Sequence, residues 1–183
     1  MTIIDHPSPN HSARRPGVRV DTVVLHHTAS VDSWPSVEWL SNPKSGVSAH
    51  YVITNGGTVY RLVSESLKAW HAGLGRLPWE TCKAYDFNQR SIGIELVNPG
   101  DGVTPFTEAQ YRALGELLPG IVRRQGWKHT LICTAKSVVA SSMPLLDVGY
   151  ILGHRDVAPG RKTDPADNFD WGRVREMLTG RTA

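Results

Sequence analysis

The chain has 183 residues, 40% of them hydrophobic and 20% charged, with a formal net charge of +3. That length suits one compact domain that needs no disulfide staples, and no apolar run approaches the ~20 residues that span a bilayer. The two cysteines, Cys82 and Cys133, form no CxxC pair, which fits synthesis in a reducing compartment and leaves their pairing open; the small basic excess comes with no nucleic-acid-binding motif.

Residues 1–17 are polar and proline-rich and predict an extended N-terminal arm ahead of a domain over residues 18–183. No basic segment followed by an apolar stretch opens the chain, so a secretory leader is not expected. Arg14, Arg15 and Arg19, and later Arg123, Arg124 and Lys128, form basic clusters: a solvated face, or a surface drawn to anionic partners. The β-branched run Val18–Leu25 predicts a strand buried on both faces, ending at His26-His27. A short helix is expected over Ser33–Leu40, with Ser33 as its cap. Tyr51–Thr54 and Thr58–Val63 flank Asn55-Gly56-Gly57, a hairpin signal because Asn-Gly tolerates the positive φ of tight turns. Residues 70–90 predict a long loop, and long ordered loops are often functional.

Ser91–Val97 (SIGIELV) predicts a second buried strand, carrying Glu95. Thr107 and Gln110 form a capping-box pair opening the longest helix, with Pro119 expected to kink or end it. Thr134–Ala140 is a weaker helix, Tyr150–Leu152 a short strand, and Trp171–Leu178 a closing helix. Alternating strands and helices with one inserted hairpin predict an α/β fold, a single central mixed β-sheet flanked by helices.

Three buried strands thus end in, or contain, a titratable group: His26, Glu95 and His154. Strand ends hold such groups rigidly while loops admit substrate. The loop after His154 adds Asp156, Arg161, Lys162 and Asp164. A catalytic zinc site takes three protein ligands and keeps a position open, and His26, His154 and one of these aspartates would supply them. Residue chemistry does not choose the aspartate, because Asp156 can equally pair with Arg155 or orient a histidine. His27, one residue on in an extended segment, should point the opposite way. Cys82 and Cys133 are expected as small buried hydrophobes, and His6, His11 and His129 as surface residues.

The segments VVLHHTAS, SAHYVITNGGTVY, AWHAG, SIGIELVN and GHRDVAPGRKTDP closely resemble, in order, the type 2 N-acetylmuramoyl-L-alanine amidases of the AmpD and AmiD type. That family is related to phage lysozyme-type amidases and peptidoglycan recognition proteins, and the likeness runs from about Asp21 to Trp171. The resemblance implies their single-domain fold and hydrolysis of the bond between muramic acid and L-alanine in peptidoglycan. It implies a zinc ion held by His26, His154 and Asp164, activating a water. It makes Glu95 the proton carrier and Lys162 the group that steadies the oxyanion. His50 stands where phage relatives use a tyrosine, and His50, His71 and Trp70 are expected to meet substrate; Trp79 is either a stacking or a packing residue. A monomer acting on peptidoglycan or muropeptides is expected, with no nucleic acid and no stable membrane insertion. The setting expected is a phage endolysin made in the cytoplasm; the alternatives are a cytosolic amidase recycling anhydromuropeptides and a non-catalytic peptidoglycan-binding module.

Overall fold

The computed structural model describes residues 2–132 and 147–179. Cys133 and the helix expected over Thr134–Ala140 lie outside them. In chain order, β1 (Ile3–Asp5), β2 (His11–Ala13) and β3 (Thr22–His27) precede helix α1 (Ser33–Ser41). The hairpin β4 (Tyr51–Ile53) and β5 (Val59–Arg61) follows, then β6 (Leu67–Ala69), β7 (Leu74–Gly75) and β8 (Tyr85–Asp86). A 3-10 turn over Phe87–Arg90 leads into β9 (Ser91–Leu96). Helix α2 (Glu108–Arg124), β10 (His129–Ile132), β11 (Val148–Gly153), α3 (His154–Val157) and α4 (Trp171–Thr179) complete the order. Among the described residues seven strands form one sheet, ordered β1-β5-β4-β9-β3-β11-β10. All pairs are parallel except β4 with β5.

Parity along the central strands decides which side chains meet. Successive residues of a strand face opposite sides of the sheet. Val23 and Leu25 of β3, with Ile92, Ile94 and Leu96 of β9, pack in one cluster with Leu114, Leu118 and Ile121 of α2. Val24 belongs to a different cluster, with Phe87, Leu152 and Val157. His26 shares the face of Val24, and Gly93 and Glu95 share the same side of β9. The parallel register puts His26 directly beside Glu95.

Helix α2 starts as the capping box requires: Thr107 Oγ1 accepts from Gln110 N at 3.1 Å, and Gln110 Oε1 accepts from Thr107 N at 2.9 Å. Pro119 neither ends the helix nor frees its second half, which continues to Arg124. Burial of Leu114, Leu117, Leu118 and Ile121 on both sides of the proline outweighs the ~3 kcal/mol that an internal proline costs. Helix α1 begins at Ser33 with Asp32 in the cap position, so Ser33 is its first residue rather than its cap.

Residues 1–17 do not stand clear of the domain. β1 adds to the sheet edge beside β5, and β2 pairs with β6. The physical reason is Arg14, whose guanidinium donates to the carbonyls of Glu65, Asn88, Gln89 and Ser91 at 2.7–3.2 Å. Burial lowers its pKa to about 10. Arg14 is therefore withdrawn from the basic surface, and Arg124 and Lys128 are paired with Glu65 and Asp147. Cys82 is exposed rather than buried, because it sits in the irregular stretch between β7 and β8. His6 is half-buried rather than free on the surface: its Nε2 lies 3.1 Å from Ser41 Oγ and its ring meets Trp34 edge-on. No helix among the described residues is long and apolar enough to cross a membrane.

Candidate metal centre

A cleft of about 390 Å³ opens over the face that carries His26 and Glu95. β3 delivers His26, β9 delivers Glu95, and the end of β11 delivers His154 as the first residue of α3. The loop after α3 folds back and brings Lys162 and Asp164 to the same cleft. His26 Nδ1 lies 2.8 Å from Asp164 Oδ2 and His154 Nδ1 lies 3.1 Å from the same oxygen. The ligand-type atoms of all three residues fall within 4.8 Å of one another, and the histidines are buried. Asp156 takes no part in the cluster, because its Oδ2 accepts from Gly153 N at 2.8 Å and caps α3.

The hydrogen bonds around the cluster test whether it suits a cation. His154 Nε2 lies 3.1 Å from the Ala72 carbonyl oxygen, which only accepts, so Nε2 carries the proton. The tautomer protonated at Nε2 turns its Nδ1 lone pair toward Asp164 Oδ2 at 3.1 Å, so that a cation placed between them would meet a donor atom from each. Burial also lowers the His26 pKa to about 4, favouring the neutral ring that a metal needs. Two imidazoles and one carboxylate make a donor set that suits a divalent metal.

Glu95 sits beside this cluster, partly exposed at the cleft, with its Oε2 buried and without a hydrogen-bond partner. Burial, aided by the negative charge of Asp164, raises its pKa to about 8, while Lys162 opposes the rise. Lys162 itself is exposed on the cleft wall. His71 lines the cleft with its Nδ1 3.0 Å from His26 Nε2 and its Nε2 3.2 Å from Ser91 Oγ. Trp70 lines it too, its Nε1 donating to Ser12 Oγ at 3.2 Å.

The expectation that His50 meets substrate is corrected. His50 is fully buried, its Nδ1 accepting from Gly93 N at 2.9 Å and its Nε2 lying 3.1 Å from the Leu67 carbonyl oxygen. Backbone groups of β9 and β6 and the Arg14 guanidinium, whose Nη2 lies 3.0 Å from Nε2, take up both ring nitrogens. Trp79 packs against Tyr150, 4.8 Å between ring centres, in the cluster on the Val24 face. His27 turns away from the cluster, its Nδ1 accepting from Ala166 N at 3.1 Å.

Two contributors are not among the residues singled out from the sequence. Trp39 of α1 lines the cleft at 57% exposure, outside the helix's buried stripe of Ser36, Val37 and Leu40. An aromatic out of phase with that stripe is the clue that could have found it. Asn88 is buried, and its Oδ1 accepts from the backbone N–H groups of His71, Ala72 and Gly73. It clips the loop that supports both histidines of the cluster.

Two histidines from strand ends and an aspartate from the loop after α3, with a partly buried carboxyl alongside and an open cleft above, form an arrangement suited to metal-assisted hydrolysis. The chain belongs to the N-acetylmuramoyl-L-alanine amidase family (Amidase_2), which matches residues 16–167. It is 29% identical to the 1,6-anhydro-N-acetylmuramyl-L-alanine amidase AmpD of Enterobacter cloacae, over 94% of this chain and 88% of that protein. The fold is similar to the crystal structure of a selenomethionine AmpD derivative, with a TM-score of 0.69 and 24% identity over 96% of this chain and 93% of that one. It is also similar to AmpDh3 of Pseudomonas aeruginosa in complex with anhydromuramic pentapeptide. There the TM-score is 0.64 and the identity 30%, over 88% of this chain and 61% of that one.

Proposed function

We propose that the chain is a zinc-dependent N-acetylmuramoyl-L-alanine amidase. It hydrolyses the amide joining the lactyl group of N-acetylmuramic acid to the L-alanine of the peptide stem. The observation that carries this reading is the convergence of His26, His154 and Asp164 within 4.8 Å, beside the partly buried Glu95.

In this reading His26, His154 and Asp164 hold the zinc. When bound, zinc supplies Lewis acidity toward a water molecule and the substrate carbonyl. Glu95, its pKa raised to about 8 by burial, takes a proton from the attacking water and passes it to the leaving L-alanine nitrogen. A carboxyl tuned toward neutral pH serves both directions of transfer. The Lys162 ammonium steadies the negative charge that develops on the carbonyl oxygen, a contact whose loss typically costs ~10²–10³ in rate. Trp39 and Trp70 offer apolar surface along the cleft for sugar or stem.

The 1,6-anhydro substrate in the name of the Enterobacter cloacae relative and the anhydromuramic pentapeptide bound by AmpDh3 support a soluble muropeptide as substrate. The endolysin setting is the competing reading, and it requires attack on the intact wall. The test compares initial rates of the zinc-loaded protein on soluble anhydromuropeptide and on intact sacculi. Faster turnover of the soluble fragment is expected; preference for sacculi would favour the endolysin.

A further inference from the structure

His26 and His154 use one ring nitrogen toward Asp164, and the loop after β6 takes up the other. His154 is committed by a carbonyl, Ala72 O. His26 instead meets a second imidazole, His71 Nδ1 at 3.0 Å, and two imidazoles in contact can point their shared proton either way. The direction is decided one step further out. Ser91 Oγ donates its single proton to the Phe87 carbonyl at 2.8 Å, so toward His71 Nε2, 3.2 Å away, it can only accept. The neutral His71 ring therefore carries its proton on Nε2 and offers a lone pair at Nδ1. His26 must then hold its proton on Nε2, and its Nδ1 lone pair faces Asp164 Oδ2 and the metal position.

We propose that His71 and Ser91 form a hydrogen-bond relay, anchored on the Phe87 carbonyl, that fixes the tautomer of His26 and so sets it up to bind the metal. The inference rests on the metal-centre reading above, and it makes His71 a positioning residue. Three features of the chain serve this arrangement. Gly93 leaves room for the His71 ring, since a Cβ there would stand 2.4 Å from His71 Cγ. Asn88 Oδ1 holds the backbone of residues 71–73. Ser91 opens β9, the strand that carries Glu95. The same short segment thus orients both imidazoles of the cluster, one through a side chain and one through a carbonyl.

The reverse polarity is the alternative to exclude: Ser91 donating to His71 Nε2, and His71 Nδ1–H donating to His26 Nε2. It would leave the proton of His26 on Nδ1, where the metal should bind. Two measurements separate the cases. Nitrogen-edited NMR of the zinc-loaded protein should show His71 protonated on Nε2, with His26 protonated on Nε2 as well. Zinc affinity by chelator competition should fall about 10–100-fold in His71→Leu, the usual loss for an outer partner of a ligand histidine. His71→Asn should stay near the wild-type value, because the amide oxygen can accept from His26 Nε2–H where His71 Nδ1 did. Ser91→Ala should lie between the two.

A His71 proton on Nδ1 would overturn the relay, as would equal loss of zinc by His71→Asn and His71→Leu variants of equal thermal stability. Failure of the wild-type chain to bind zinc at all would instead overturn the metal-centre reading beneath it.

Discussion

Glu95 combines a buried, unpartnered oxygen with a pKa raised to about 8, and it neighbours the metal-ligand cluster without belonging to it. Glu95→Gln should therefore keep zinc while losing about 10²–10⁴-fold in turnover, the usual worth of a positioned proton carrier. Zinc content and muropeptide hydrolysis measured on one preparation check this, and near-wild-type turnover would reject the role. His26, Glu95 and His154 were legible in the sequence because each interrupts or ends an apolar strand run, where a titratable side chain stands out. Asp164 was not separable from Asp156 on residue chemistry alone. Only the fold shows that the Asp156 carboxylate is taken by the Gly153 N–H. His50 misled for the opposite reason, since groups far apart in sequence bury it and occupy its ring. Ser91 and Asn88 had no local signature, because their partners are a distant ring and a run of backbone groups.

At the scale of elements, the strand expected from Val18 begins at Thr22 and runs on through His27, whereas β9, β11 and the capped start of α2 followed the sequence closely. Local pattern and tertiary burial agree there. The N-terminal segment departed from it. Polar, proline-rich composition suits an arm, yet Arg14 turns inward and serves four backbone carbonyls at once. Arg14→Ala leaves those carbonyls short of a donor, and each buried polar group so stranded costs about 1–3 kcal/mol. The denaturant midpoint should drop accordingly; an unchanged midpoint would mean that the segment is not fastened through this residue. In α2, Leu118→Ala should cost about 2–5 kcal/mol, because Leu118 is fully buried against the sheet next to Pro119. Urea titration checks that loss, and a cost below 1 kcal/mol would contradict the account of how the helix survives its proline.

Across the whole molecule, two sets of buried groups pull on stability from opposite sides of neutral pH. Burial lowers the pKa of His26 to about 4 and of His50 to about 3, and takes His71 well below its ordinary 6.5. The unfolded chain gains protons below 6.5 that the folded chain refuses, so stability falls as pH drops from there toward 3. Glu95 acts in reverse: the unfolded chain releases its proton near 4.5, whereas the folded chain keeps it until about 8. Between those values unfolding releases a proton, and stability falls as pH rises. Below 6.5 three histidines outweigh one carboxyl, so the contribution of these groups to the metal-free protein peaks near pH 6.5. Glu95→Gln should abolish the decline toward pH 8 and steepen the rise between pH 4.5 and 6.5, where the carboxyl had opposed the histidines, as urea titrations across pH will show.

The function itself is tested most directly by mass analysis of the products that the zinc-loaded protein releases from a defined muropeptide. An amidase yields a stem beginning at L-alanine together with an intact, peptide-free muramic sugar, and does so only when zinc is present. Cleavage within the stem, or the same products after zinc is removed, would contradict the assignment.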